Sequence, residues 1–310
     1  MYKGRSVCVV VPAYNEAVSI SSVIASMPPL VDHVVVVDDA SVDGTAEAAR
    51  SVGDPRVVVL QHATNQGVGG AIVTGHKKAL ELRSDVSVVM AGDGQMDPAH
   101  LPVLLDAIVE GGYDFAKGNR FLTRGTLTGM PRHRVAGSVL LTFMTKFASG
   151  YWHIFDPQNG YTAATAEALR TVPMDGLRKD YLFENDMLCA LYPYDFRVKD
   201  VPIPARYTTG RSGIRVRRFA PSAFVFLFRR FWRRILVRYA LWDFHPVALF
   251  YVLGSVLLLS GTAFGLWVIL QALGPNAPTA GTVLLAVVPF LMGLQMALTA
   301  ITIDVWLTPR

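Results

Sequence analysis

Cysteine is scarce in this chain, which has only Cys8 and Cys189 among its 310 residues. Two isolated cysteines make neither a disulfide framework nor a cysteine-based metal site. Cys8 lies in an apolar run and Cys189 in a predicted helix, so we expect both to be buried in a reducing compartment. No signal peptide precedes the first strand, and the N-terminal part is therefore expected to stay in the cytosol.

Charge is absent from two long stretches near the C-terminus, 247–273 and 281–303. Each is long enough to cross a hydrocarbon layer of about 30 Å, which takes about 20 apolar residues. The intervening segment 274–280 contains Pro275 and Pro278 and is predicted to form a turn. The sequence therefore predicts two transmembrane helices and an integral protein of the cell membrane.

The segment before these stretches, 214–243, mixes arginine with large aromatic and aliphatic residues. A helix with cations on one face and apolar residues on the other is typical of a membrane surface. A basic helix that binds nucleic acid is the alternative, and the transmembrane helices that follow argue against it. Arginines before the first span and Arg310 after the second predict that the catalytic part and both termini are cytoplasmic.

The first two thirds of the chain alternate apolar β-branched runs with helical segments. The predicted strands are 7–11, 34–37, 57–60 and 86–90, and the predicted helices between them are 17–26, 44–51 and 68–82. This alternation predicts an α/β fold with a parallel sheet covered on both faces. Further helices are predicted over 134–149 and 183–191, with a strand over 196–203. The predicted domains are 1–212, 213–245 and 246–310.

Polar and acidic residues follow three of the predicted strands. The segments are PAYNEA at 12–17, DDASVDG at 38–44 and GDGQMDP at 92–98. Asp43 alone could cap a helix, and Asp97 with Pro98 could start one. Three such segments at the carboxyl edge of one sheet favour a ligand site, because ligands of open α/β sheets bind there.

In this order the three motifs resemble the family 2 glycosyltransferases with the GT-A fold. Within that family they are most similar to the branch of dolichyl-phosphate mannose synthases and polyprenyl-phosphate glycosyltransferases. The resemblance covers about 5–210 and implies a mixed, mostly parallel sheet with helices on both faces. It also implies inverting, metal-dependent transfer of a hexose to a polyprenyl or dolichyl phosphate at the cytoplasmic membrane face. The donor would be a nucleotide-diphosphate sugar of the GDP-mannose or UDP-glucose type.

The resemblance assigns the donor to Pro12, Tyr14, Glu16, Asp39, Gly67, Gly92 and Asp93. A carboxylate such as Asp39 accepts a ring N–H of uracil or guanine. Gly67 belongs to the segment 65–71, whose glycines would allow close approach of the nucleotide at a helix start.

The metal motif departs from the family pattern Asp-x-Asp-x-Gln. Ala91 stands in place of the first aspartate, whereas Asp93 and Gln95 are retained. These two residues would hold Mg²⁺ or Mn²⁺ together with the donor diphosphate, because Mg²⁺ sites often combine few protein ligands with substrate phosphates.

The resemblance assigns the lipid phosphate to Arg120, Arg134 and Ser138. Arginine suits this role because its planar guanidinium binds phosphate oxygens bidentately. Arg206 and Arg211 would clamp the diphosphate. Asp156, in a turn below the sugar, would have a structural or a catalytic role. The implied catalytic set is Asp93, Gln95, Arg120, Arg134 and Arg211.

Three other functions compete with this prediction at the level of sequence. A processive polysaccharide synthase would carry Gln-x-x-Arg-Trp, and a sugar-phosphate nucleotidyltransferase would carry a glycine-rich loop after the first strand; neither pattern is present. A non-catalytic membrane protein with this fold is the third, and Ala91 is the residue that favours it. A homo-oligomer is compatible with the sequence.

Overall fold

The computed structural model describes residues 1–122, 132–204, 216–274 and 278–309. The predicted diphosphate clamp, Arg206 and Arg211, lies outside the described residues, and so does the side chain of Arg134. The described chain forms two compact units, Met1–Leu227 and Phe228–Thr308.

The first unit is built on a seven-stranded mixed sheet. The strands are β1 Val7–Ala13, β2 His33–Asp38, β3 Val57–Gln61, β4 Val86–Val89, β5 Phe115–Asn119, β6 Thr162–Thr165 and β7 Val198–Pro202. Their order is β3-β2-β1-β4-β6-β5-β7. β6 is antiparallel to both of its neighbours, and the other pairs are parallel. The predicted mixed, mostly parallel sheet is confirmed.

Among the described residues, seven α-helices lie wholly within this unit. They are α1 Ile20–Ala25, α2 Thr45–Ser51, α3 Val68–Glu81, α4 Leu101–Val109, α5 Arg132–Ser149, α6 Ala166–Thr171 and α7 Phe183–Leu191. Alternate residues of β1 enter two different cores: Val9 packs in the cluster that contains α1 and α4, and Val10 in the cluster that contains α3. Burial on both faces explains why the strands are continuous apolar runs.

The second unit contains the long apolar helices. It comprises the end of α8 (Val216–Arg234), a π-helical segment (Ile235–Trp242), α9 (Pro246–Ala272) and α10 (Ala280–Trp306). Both α9 and α10 are long and apolar enough to span a membrane, and most of their residues are exposed. The second unit begins inside α8, and Ile235 and Tyr239 of the π-helical segment pack with residues of α9 and α10. The domain boundaries at 212 and 245 stay a prediction.

Candidate functional site

The predicted ligand edge contains the point where the sheet order reverses. β2 and β3 lie on one side of β1, and β4 lies on the other. The loop after β1 and the loop after β4 therefore flank the crevice in which open α/β sheets bind ligands.

The loop 14–19 after β1 carries predicted donor residues and is named the donor loop, and the loop 90–97 after β4 carries the predicted metal residues and is named the metal loop. Ser19 connects the two loops. Its hydroxyl lies 2.8 Å from Oε2 of Glu16 and 2.8 Å from the carbonyl oxygen of Gly92. The Gly92 N–H donates to the carbonyl of Pro12 at 3.2 Å. The structure thus brings together Pro12, Glu16 and Gly92, and Tyr14 is an exposed residue of the same loop. Ser19 was missed by the sequence analysis, because a serine before a helix has an ordinary capping role.

Asp39 holds the segment after β3 against the end of β2. Its two carboxylate oxygens accept the backbone N–H groups of Gln66 and Gly67, each at 2.8 Å. The Nδ1 atom of His62 lies 2.7 Å from Oδ1, and the carboxylate is buried. Asp39 and Gly67 are therefore in direct contact, as two predicted donor residues. Contact of Asp39 with the base stays a prediction, and His62 was not identified from the sequence.

The glycines at the start of α3 allow a close approach of protein backbone. A Cβ atom at Gly67 would lie within van der Waals overlap of the Lys179 carbonyl oxygen, and the Gly69 N–H donates to that oxygen at 2.9 Å. Gly67 has a φ of +84°, which other residues adopt only with strain. These glycines therefore pack against the backbone of Lys179. The sequence analysis had assigned them to the nucleotide alone.

The metal loop carries two half-buried carboxylates, Asp93 and Asp97. Oδ1 of Asp93 accepts the backbone N–H of Gln95 at 3.0 Å, and the Gln95 side chain is exposed. The N–H of Ala91 donates to the Met96 sulfur at 3.2 Å. Within the described residues, no group of three His, Cys, Asp or Glu side chains could hold a metal. A cation at Asp93 would therefore need ligands from a substrate.

Arg120 forms a bidentate ion pair with Asp156. Nε lies 2.8 Å from Oδ2 and Nη2 lies 2.7 Å from Oδ1. Burial alone would raise the pKa of Asp156, but the hydrogen bonds and charge of Arg120 outweigh it and hold that pKa below its usual value. Arg120 thus lies at the predicted place after β5, and part of its hydrogen-bonding capacity is used by the turn that Asp156 begins.

Helix α5 has a polar inward face and an apolar outward face. Ser138 is half-buried, and Thr142, Thr145 and Ser149 follow it on the same face as buried residues. On the opposite face, Val139, Leu140 and Phe143 are exposed. This is the reverse of the pattern of a helix on a water-soluble domain.

A further carboxyl, Glu184, lies between the turn 156–160 and the metal loop. A Cβ atom at Gly160 would be 3.3 Å from Oε1 of Glu184 and 3.4 Å from Cε of Met96. Burial raises the pKa of Glu184 to about 7. The acidic segment 183–186 was noted in the sequence, but only the fold distinguishes Glu184 from its neighbours.

A comparison of the sequence with known protein families matches the part of the chain that forms this crevice. The family described as Glycosyl transferase family 2 matches residues 8–172, which include all three motifs after the strands. The chain belongs to this family. The residues of the crevice therefore belong to the catalytic domain of a family 2 glycosyltransferase.

Several relatives have names that contain a polyprenol or a polyprenyl phosphate. An undecaprenyl-phosphate mannosyltransferase of Micrococcus luteus is 34% identical over 64% of this chain and 82% of its own length. A polyprenol monophosphomannose synthase of Mycolicibacterium smegmatis is 33% identical over 63% of this chain and 75% of its own. A UDP-N-acetylglucosamine–dolichyl-phosphate N-acetylglucosaminyltransferase of Methanococcus voltae is 28% identical over 66% and 87%.

The fold is also found in a solved structure. Glucosyl-3-phosphoglycerate synthase of Mycobacterium tuberculosis, crystallised with Mn²⁺, UDP and phosphoglyceric acid, superposes with a TM-score of 0.56 at 23% identity. The match covers 73% of this chain and 78% of that one. It confirms the predicted GT-A fold of the first unit.

Proposed function

We propose that this family 2 glycosyltransferase transfers a hexose from a nucleotide-diphosphate sugar to a polyprenyl phosphate at the cytoplasmic face of a membrane, with inversion. The observation that carries the proposal is the junction of the donor loop and the metal loop at the sheet's switch point, through Ser19, Glu16 and Gly92. The names of the three relatives support the polyprenyl phosphate acceptor.

The surface of the chain supports a lipid acceptor. The outward face of α5 exposes Val139, Leu140 and Phe143 although this helix also carries Ser138, and α9 and α10 are long enough to cross a bilayer. A helix that exposes apolar residues is stable where those residues meet lipid. Arginines of α8 precede the first span, which favours a cytoplasmic catalytic domain.

The residues of the metal loop fit a divalent cation with few protein ligands. Asp93 supplies a half-buried carboxylate and Gln95 an amide oxygen, both suited to Mg²⁺ or Mn²⁺. Because the side chain of Ala91 has no ligand atom, the donor diphosphate would complete the site. The cation would stabilise the negative charge that develops on the leaving diphosphate.

The side chains of this chain would bind and orient the acceptor without removing a proton from it. A lipid phosphate is already ionised near neutral pH, so its oxygen can attack the anomeric carbon without a strong general base. Arg120 and Ser138, together with Arg134, would hold that phosphate, and Asp156 would keep the guanidinium of Arg120 in position. Direct in-line attack inverts the anomeric centre.

The test is a transfer assay with detergent-solubilised full-length protein, undecaprenyl phosphate and radiolabelled GDP-mannose or UDP-glucose. We expect one labelled lipid product. Asp93→Asn should lose at least about 100-fold in turnover, because the carboxylate that would hold the cation is removed, and with it the stabilisation of charge on the leaving diphosphate. The matched control is Asp175→Asn, since Asp175 is an exposed carboxylate paired with Lys77. Its activity should equal that of the wild-type protein.

Each alternative predicts a different result. A polymer of many sugars would identify a processive synthase, and the absence of turnover with every donor would identify a non-catalytic protein. Full activity after treatment with EDTA would remove the cation from the proposal.

A further inference from the structure

A buried asparagine connects two elements of the proposed acceptor site. Asn185 of α7 is fully buried, and its side-chain amide has a partner at each end. Nδ2 donates to Oγ1 of Thr145 at 2.8 Å, and Oδ1 accepts from Nε2 of Gln158 at 2.9 Å. Gln158 also donates to the carbonyl of Tyr181 at 2.8 Å, which holds the amide of Gln158 in place.

The two ends of this bridge lie near the residues that are proposed to bind the lipid phosphate. Thr145 lies two helical turns after Ser138 on the inward face of α5. Gln158 lies two residues after Asp156, which forms the bidentate pair with Arg120. A continuous path therefore runs from Arg120 through the turn 156–158 and Asn185 to α5.

The chemistry of the bridge requires asparagine. The hydroxyl proton of Thr145 is used by the carbonyl of Leu141 at 2.7 Å, so its oxygen can only accept from residue 185. The amide of Gln158 presents a donor to residue 185, which must therefore accept at the same time. Asparagine supplies one donor and one acceptor without a charge, whereas an ionised aspartate has no donor and leucine has neither group.

We propose that Asn185 is a positioning residue that sets α5, and with it Ser138, relative to the turn that holds Arg120. The proposal rests on the transfer to a lipid phosphate described above. Asn185 does not touch the phosphate itself, and its effect is on the distance between groups that do. Loss of the bridge should therefore weaken use of the lipid and leave use of the nucleotide sugar unchanged.

Three variants test this role: Asn185→Leu, Thr145→Val and Gln158→Leu. Each removes at least one of the two hydrogen bonds, and Gln158→Leu changes only a half-buried residue of the turn, so it is expected to fold. We expect KM for undecaprenyl phosphate to rise about tenfold in each, the equivalent of one hydrogen bond. KM for the nucleotide sugar and the rate of donor hydrolysis should stay within about twofold of wild type.

Thr142→Val is the matched control for Thr145→Val. Thr142 lies on the same face of α5 and is equally buried, but its hydroxyl oxygen has no hydrogen-bond partner among the residues that the structure describes. Its replacement should leave both KM values unchanged. An equal rise of the lipid KM in Thr142→Val, or a parallel loss of donor hydrolysis in all three variants, would reduce Asn185 to a structural residue.

The same assay separates this inference from the proposed function. Wild-type protein that transfers sugar to the lipid, together with variants of unchanged lipid KM, would overturn the positioning role alone. Wild-type protein that only hydrolyses the donor, with no lipid product, would overturn both.

Discussion

Arg234 and Asp304 form a bidentate ion pair across 70 residues of sequence, with Nη1 2.7 Å from Oδ1 and Nη2 2.8 Å from Oδ2. The two side chains are 2% and 0% exposed. The hydroxyls of Tyr239 and Tyr251 donate to the same carboxylate at 2.5 and 3.3 Å. One carboxylate of α10 is therefore bonded to the end of α8, to the π-helical segment and to α9.

We predict that Asp304→Asn lowers the free energy of unfolding of the second unit, Phe228–Thr308, by about 3–5 kcal/mol. The substitution keeps the size of the side chain but leaves the Arg234 charge buried without its counter-ion. Unfolding in detergent, followed by circular dichroism, measures the change. Asp243→Asn is the control, because Asp243 is 41% exposed and its pair with Arg238 should contribute only about 0–1 kcal/mol. Equal losses in the two variants would contradict the assigned role of the buried pair.

The contact between α9 and α10 provides a second prediction. A Cβ atom at Gly261 would lie 2.5 Å from the backbone nitrogen of Phe290 and 2.8 Å from its Cα. Gly261→Ala should therefore force the helices apart and destabilise the unit by about 1–3 kcal/mol. At Gly265 the nearest atom to an added Cβ, a Cβ of Ala286, is 3.9 Å away, so Gly265→Ala should be tolerated. Thermal unfolding of both variants in one detergent gives the comparison, and a stable Gly261→Ala protein would refute this packing.

Glu184 predicts a dependence of stability on pH. Burial raises its pKa from the ordinary value of 4.5 to about 7 in the folded chain. The folded state therefore binds the proton more tightly than the unfolded state, and the stability that this provides is lost as pH rises from about 4.5 to 7. Glu184→Gln should be more stable than wild type above pH 7, by at most about 3 kcal/mol, and this advantage should vanish near pH 4.5.

The comparison for Glu184 must be made against wild type at each pH. Burial lowers the pKa of His76 to about 4, so His76 alone makes the fold less stable as pH falls from 6.5 to 4. This effect is common to both proteins and cancels in the difference. A difference between the melting temperatures of wild type and Glu184→Gln that does not change between pH 5 and 8 would show that Glu184 titrates normally.

The pair of Arg120 and Asp156 predicts a selective loss of lipid transfer. Asp156→Asn keeps the side-chain volume, and asparagine tolerates the φ of +51° at this position, but the charge that orients Arg120 is lost. We expect transfer to undecaprenyl phosphate to fall about tenfold or more, with donor hydrolysis much less affected. Asp54→Asn is the control, since Asp54 forms a similar pair with Arg56 away from the crevice. Loss of transfer in the control would indicate a general effect of breaking such pairs.

The elements that the sequence predicted are those with a strong local pattern. The valine runs of β1 and β2 became strands within two residues of their predicted ends, because burial on both faces requires continuous apolar residues. The long uncharged stretches became α9 and α10, because a continuous run of about 20 or more apolar residues is typical of a helix that crosses a bilayer. β6 was not identified: Thr162–Thr165 has the sequence TAAT, and its strand conformation depends on pairing with β4 and β5 on either side.

The residues of the candidate site show the same contrast between what the local sequence predicts and what the fold decides. The sequence by itself determined that Glu16, Asp39 and Asp93 lie at one edge of the sheet, because each follows a parallel strand and chain direction fixes the edge at which that strand ends. Only the tertiary structure decided which partners these and other polar groups have. Asp39 binds the backbone after β3, Arg120 binds Asp156, Asn185 joins Thr145 to Gln158, and Arg234 binds Asp304. Hydrogen bonds and ion pairs act over about 3 Å, so a partner distant in sequence is chosen only when the fold brings the two groups together.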